Sequence, residues 1–222
     1  MKTLIASRIL IVFLVCGVII LAAPPYCLAA PNNATWTDSL NIARIQINKT
    51  AMFTLGAWSL GNMAVNGTLL ALQANIPSAD RTQSYYFQQM NIFWNVVNLG
   101  LAAGGLYGAF TENPHGVSLF ETVNQQASIE RILLLNAGLD VAYITAGAWM
   151  LERSKNASDN TALWQGYGQS LILQGAFLLL FDAVVYAIHH STSEPLLREI
   201  LRSTSMGIHQ GQGLGLGFVL RL

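Results

Sequence analysis

ILLLNAGLDVAYITAGAWML, residues 132–151, is the stretch that decides the architecture. As a helix rising about 1.5 Å per residue it has the length to cross the roughly 30 Å hydrocarbon core of a bilayer. It contains no proline and one charge, Asp140, and Glu152-Arg153 closes it. Three more stretches share its character: residues 51–73, residues 90–110 and residues 165–189, the last of them most apolar from Leu171 onward. Hydrophobic residues make up 53% of the 222-residue chain and charged residues 10%, where a soluble domain carries about 25% charged. Mean hydropathy is +0.43. So few charges cannot cover a water-facing surface, so the expected fold is all-α, a four-helix transmembrane bundle. Its first partner is the lipid bilayer, and a homo-oligomer or another membrane partner is compatible with it. Formal net charge is zero, which leaves no basic field to attract nucleic acid.

The ends differ from the middle. Lys2 and Arg8 lead into an uncharged apolar run from Ile9 to Ala23, which Pro24-Pro25 ends. That run is shorter than a span, and Cys27-Leu28-Ala29 offers small residues where a signal peptidase reads. Residues 1–30 are therefore expected to be a signal peptide cleaved near Ala29 or Ala30, with an uncleaved anchor as the alternative. The only cysteines, Cys16 and Cys27, lie in this leader, so a processed chain has no thiol chemistry. Residues 31–190 form the membrane domain, and residues 191–222 form a short helix and a glycine-rich tail. Short amphipathic interfacial helices are expected before the first span and in the loop between the two hairpins: Trp36, Leu40, Ala43 and Ile47 recur at helical spacing, with Thr35 and Asp38 placed for a capping box, in an entry that lies at the outer interface or runs straight into the first span, and Val117, Phe120, Val123 and Ala127 recur likewise. The tail alternates Leu214, Leu216, Phe218, Leu220 and Leu222 in a strand period, although no other segment reads as its partner.

The chemistry lies in polar residues at helical spacing inside the apolar stretches. Asn62 and Asn66 share a face of the first span; Gln88, Asn91, Asn95 and Asn98 share a face of the second. Asn136, Asp140 and Tyr143 share a face of the third, and Gln174 and Asp182 lie close on the fourth. Counting rise from the outer helix ends puts Asp140 roughly 13 Å and Asp182 roughly 10 Å deep, so the carboxylates share a layer. Asn62, Asn98 and Tyr143 follow at about 17 to 18 Å, and Asn66, Asn95 and Gln174 at about 22 Å. Polar faces should converge away from lipid. An intramembrane carboxylate costs about 2.5 to 3.5 kcal/mol even on the gentler insertion scale. With no lysine or arginine in the spans, the pair needs a proton or a cation. Two readings follow: a structural seam in a non-enzymatic membrane or assembly component, or a small proton- or cation-coupled transporter using Asp140 and Asp182. No nucleophile–base pair or HExxH occurs, and no cofactor is implied. His189-His190 with His115 or His209 is a weak metal candidate, because adjacent residues on a helix point in different directions; no metal is expected. Gly61, Gly67, Gly100, Gly104, Gly105, Gly138, Gly147, Gly168 and Gly175 are expected at close helix contacts.

Several strings carry a resemblance: Phe87-Gln88-Gln89-Met90-Asn91 with Trp94-Asn95 and Asn98; Asn136-Ala137-Gly138-Leu139-Asp140 with Tyr143; and Gly166-Tyr167-Gly168 with Gln174-Gly175 and Phe181-Asp182. Over about residues 50 to 190 the chain resembles an uncharacterised family, a domain of unknown function, of small bacterial multi-pass membrane proteins. The resemblance implies a bacterial inner membrane location and no known activity. With an export leader, the mature N-terminus and the tail would be periplasmic. The arginines and lysines do not follow the positive-inside rule in that orientation: Arg81, Arg153 and Lys155 fall inside, and Arg44, Lys49, Arg131, Arg198, Arg202 and Arg221 outside.

Overall fold

The computed structural model describes residues 36–211 and 213–220; the expected leader, with its cysteines and cleavage site, and the Thr35 half of the capping box lie outside them. Four long helices follow one another: α1 (Trp36–Ala71), α2 (Gln83–Thr111), α3 (Leu119–Lys155) and α4 (Thr161–Ser203). A single 3-10 turn, Ser78–Asp80, sits between α1 and α2 after Pro77.

The amphipathic entry, expected either to lie at the interface or to run straight into the first span, does the latter, and the short helix expected in the middle connection is instead the start of a longer one. No proline or paired glycine separates Trp36 from Ala71, so the amphipathic entry runs straight into the apolar stretch. Likewise α3 begins at Leu119, and the connection before it shrinks to residues 112–118. Ser118 caps α3, its side chain accepting from the Glu121 backbone N–H at 3.2 Å, and Glu121 stands at the third helical position of a capping box. Gly116 takes φ +74° in this connection, a left-handed conformation that glycine adopts without strain. The expected short helix after residue 191 is also absent as a separate element: α4 continues through Pro195 to Ser203. A proline within a helix removes one backbone donor but need not end it.

A strand pair follows the all-α bundle in the tail. Thr204–Gly211 (β1) pairs antiparallel with Gly213–Leu220 (β2), in a register from Thr204↔Leu220 to Gly211↔Gly213. The partner strand, TSMGIHQG, has only Met206 and Ile208 as alternating apolar residues, too short a period to reveal a half-buried strand.

Consecutive helices run antiparallel. Helix α1 packs along α2, α3 along α4, and α4 also lies beside α2, parallel to it. Trp58 of α1 stacks on Phe177 of α4, with ring centroids 3.8 Å apart and planes 7° from parallel. Ala51, Leu55, Ala102, Leu133, Phe181 and Val185 pack around this pair. The bundle's exterior is apolar: Phe53, Leu60, Phe93, Val97, Leu101, Leu135, Val141 and Trp149 are all exposed. Among the described residues, three helices are long and apolar enough to cross a membrane, namely α2, α3 and the Thr161–Glu194 part of α4. Helix α1, expected as a fourth span, falls below that mark because Ser59, Asn62 and Asn66 dilute its apolar half.

The glycines divide into two groups. A Cβ on Gly147 would sit 2.6 Å from the Gly168 carbonyl oxygen, and one on Gly168 would sit 2.7 Å from that of Gly147. Gly175 approaches the Asp140 carbonyl in the same way, and Gly105 receives Met52. These four are contact glycines. Gly61, Gly67, Gly100, Gly104 and Gly138 have nothing within 4 Å, so the contacts expected of them are not made within this chain. Helical spacing could not tell the two groups apart, because an outward face of small residues has the same period as an inward one. Gly147→Ala should therefore cost about 1–3 kcal/mol in thermal unfolding in detergent, despite alanine's helix propensity, whereas Gly104→Ala should be neutral or mildly stabilising. Equal behaviour of the two variants would contradict the assignment.

Candidate functional site, a polar column through the bundle

The buried faces of these helices are more polar than apolar. Among the described residues, 17 buried positions are polar or charged and 13 are hydrophobic, the reverse of a water-soluble core. The polar set forms a column along the bundle.

At the end bearing the α2–α3 connection, the column starts from Arg44, which is 4% exposed. Its guanidinium donates to Glu112 at 2.6 Å, to Gln125 Oε1 at 2.7 Å and to Asn41 Oδ1 at 3.1 Å. Asn41 donates onward to Thr122 at 3.0 Å. The connection is held from both sides, since Asp38 accepts from the Gly116 N–H and lies 3.3 Å from His115 Nδ1. Behind Arg44, Gln126 donates to the His189 carbonyl at 3.0 Å, and the fully buried His189 ring meets Asn48 Oδ1 at 3.0 Å. Glu130 gathers Gln126, Ser193 and His190. A small cleft lined by Leu40, Arg44, Thr122, Gln126, Thr192 and Ser193 opens here. The histidines weighed as a metal site point to separate partners: His189 to Asn48, His190 to Glu130 and His115 to Asp38. No group of three or more potential ligands among histidine, cysteine, aspartate and glutamate occurs among the described residues.

In the middle of the bundle three helices are joined through one side chain. Gln174 of α4 accepts from the Trp58 indole N–H of α1 at 3.1 Å and donates to Asn91 Oδ1 of α2 at 2.5 Å. Asn91 and Asn95 return their amide protons to carbonyls four residues back on their own helix, as do Asn62 and Asn66. That bond keeps an amide donor satisfied in an apolar surrounding without a partner helix. At the far end Gln73 donates to Gln88 Oε1 at 2.7 Å, and Gln88 donates to Ser84.

Asp140 and Asp182, both buried, lie as neighbours across the α3–α4 contact. The geometry follows from helix direction. Side chains lean toward the N-terminus of their own helix, and α3 and α4 run oppositely, so each carboxyl leans toward the other. Asn98, on α2, is buried with its amide nitrogen unpartnered.

Of the residues singled out from sequence, Asn66, Asn91, Asn95, Asn98, Asp140, Gln174 and Asp182 are buried. Asn62, Asn136 and Tyr143 are only half buried, and Tyr143 packs edge-on against Trp94, with centroids 4.6 Å apart. Sequence reasoning missed Trp58, Ser59, Ser170 and the whole Arg44 cluster. The i, i+3 and i+7 spacing of Asn41, Arg44 and Asn48 was a signal for the last, overshadowed by the apolar stripe beside it.

Residues 54–183 match the model of a family of unknown function, DUF6992. The chain belongs to this family. The matched region covers more than half of the chain and holds the column from Trp58 to Asp182, while Asn41, Arg44, Asn48 and His189 lie outside it. No curated protein and no solved structure matches the chain.

Asn91→Leu and Gln174→Leu should each destabilise the bundle, by leaving a buried partner unpaired. The double variant should lose less than the sum of the two, with a coupling of about 0.6–1.7 kcal/mol. Strictly additive losses would mean that the bond contributes nothing.

Proposed function

We propose that this chain is a multi-pass membrane protein without enzymatic activity, whose four helices lie in a bilayer and whose polar column holds them together as a membrane or assembly component. The observation that carries this reading is the inversion of polarity: amides and acids inside, large apolar side chains outside. In water such a surface would aggregate; in lipid it is the expected one. Three helices have the length and hydropathy of spans. Helix α1 supplies the fourth, since Phe53, Leu60 and Val65 on its outward side are as exposed as the apolar residues of its neighbours. A bacterial inner membrane, with the tail on the periplasmic side, is the setting that the family resemblance and the leader favour.

A second reading, a small proton- or cation-coupled transporter, has one observation in its favour: Asp140 Oδ2 is buried without a partner. Two experiments address these readings. Membranes containing the full chain, washed in alkaline carbonate, should retain it in the pellet, and release into the wash would defeat the membrane assignment. Asp140→Asn and Asp182→Asn should leave the bundle folded in detergent in either case. In reconstituted vesicles, proton- or sodium-dependent flux that these variants abolish would replace the scaffold reading with the transporter.

A further inference from the structure

The Arg44 cluster leaves part of its guanidinium unused. Arg44 donates to Asn41, Glu112 and Gln125, and all three bonds leave from one nitrogen, Nη2. Its Nε is buried without a partner, on a residue that is 4% exposed. A charged donor in such a place needs an acceptor oxygen. Arg44 lines the cleft between α1, α3 and α4, together with Leu40, Thr122, Gln126, Thr192 and Ser193. Thr122 accepts from Asn41, so its hydroxyl proton is left to donate. The cleft is narrow and open at its mouth. It admits one oxygen of a ligand and leaves the rest lying across the rim.

The other wall has the opposite polarity. Ser193 donates to Glu130 Oε1 at 2.8 Å, and Gln126 donates to the same oxygen at 3.1 Å. His190 Nδ1 lies 3.4 Å from the second oxygen. Among the described residues, no lysine or arginine pairs with Glu130. Arg44 already has its charge matched by Glu112. A simple anion on Arg44 would therefore meet Glu130 unopposed. A group that carries an anionic oxygen at one end and an ammonium at the other suits both walls. The height suits a lipid. Thr192 and Ser193 follow the apolar stretch that ends at residue 189 by one turn, and Arg44 stands seven residues, roughly 10 Å, before Ala51. These positions border the hydrocarbon core, where headgroups lie.

We propose that this cleft binds the phosphoethanolamine headgroup of one lipid, with a phosphate oxygen on Arg44 Nε and the Thr122 hydroxyl and the ammonium toward Glu130. The proposal rests on the membrane-bundle reading and names the lipid class that the bundle holds at one end. A phosphocholine headgroup has no N–H to offer Glu130, and a phosphoglycerol headgroup has no positive charge, so the cleft selects among headgroups. A ligand that binds only the folded state raises the unfolding temperature in proportion to its occupancy.

The test uses the full chain in detergent, titrated with phosphatidylethanolamine, phosphatidylglycerol or phosphatidylcholine of the same acyl chains. Phosphatidylethanolamine should raise the unfolding temperature saturably, by about 3–5 °C, and native mass spectrometry should find one such lipid per chain. The other two lipids should bind about tenfold more weakly. Glu130→Gln, which keeps an acceptor oxygen for Gln126 and Ser193, should remove the preference over phosphatidylglycerol. Arg44→Lys, which keeps the charge but not the Nε donor, should weaken phosphatidylethanolamine binding about tenfold. The Glu130→Gln variant reads selectivity rather than stability, so it decides the matter even where Arg44→Lys does not fold. Equal responses to the three lipids, or an unchanged preference in Glu130→Gln, would overturn the proposal and leave the bundle intact. The full shift from soluble phosphoethanolamine, with none from the lipid, would overturn the lipid as ligand. Release of the chain into an alkaline carbonate wash would instead defeat the membrane reading on which the proposal rests.

Discussion

A buried amide in an apolar rod must bond to its own helix, to a neighbouring helix, or face lipid at a cost of several kcal/mol. The rest of the bundle depends on how that choice is made. Asn62, Asn66, Asn91 and Asn95 bond to their own helix through the carbonyl four residues back. Gln174 bonds to neighbours, joining Trp58 and Asn91. Asp140 and Asp182 turn to each other. None of these side chains is exposed, and the apolar residues are left to form the exterior. Interhelical bonds of this kind contribute little one at a time, about 0.6 kcal/mol on average. Their larger effect is on orientation, since rotating any helix would carry its polar face into the surroundings.

Close packing supplies the complementary constraint. Helices without a hydrophobic drive toward each other associate through van der Waals contact, which small residues permit. Gly147 against Gly168, and Gly175 against the Asp140 backbone, bring α3 and α4 together along the face that carries the carboxyl pair. The aromatic stack of Trp58 on Phe177 performs the same service between α1 and α4. Packing therefore sets the distance at which the polar groups meet, and the polar groups set which faces pack. The Arg44 cluster closes one end of the column and ties the α2–α3 connection back onto α1.

Much of this was legible in the residues. Apolar stretches of spanning length with at most one charge located all four helices, and polar positions three and four apart marked faces on which most residues are buried. Helix ends were less legible. Nothing local stops α1 at Lys49 or α4 at His190, and the apolar pattern marks where a helix would meet lipid rather than where its hydrogen bonding ends. The strand partner Thr204–Gly211 was invisible because only Met206 and Ile208 alternate as apolar residues in it, and the Arg44 cluster because its members are far apart in sequence: Arg44 and Glu112 meet only once α1 and α2 pack. Which glycines make contacts is likewise a property of the assembled bundle.

The central claim is that lipid surrounds the exposed apolar face while the amide face beside it is shielded. Val97 and Asn98 are adjacent on α2, about 100° apart around the helix, with Val97 exposed and Asn98 buried. Power-saturation EPR of a nitroxide placed at Val97 in the reconstituted full chain measures that environment directly. The account predicts high accessibility to oxygen and low accessibility to a water-soluble nickel chelate. Nickel accessibility as high as that of a label in the connection near Ser158 would contradict it.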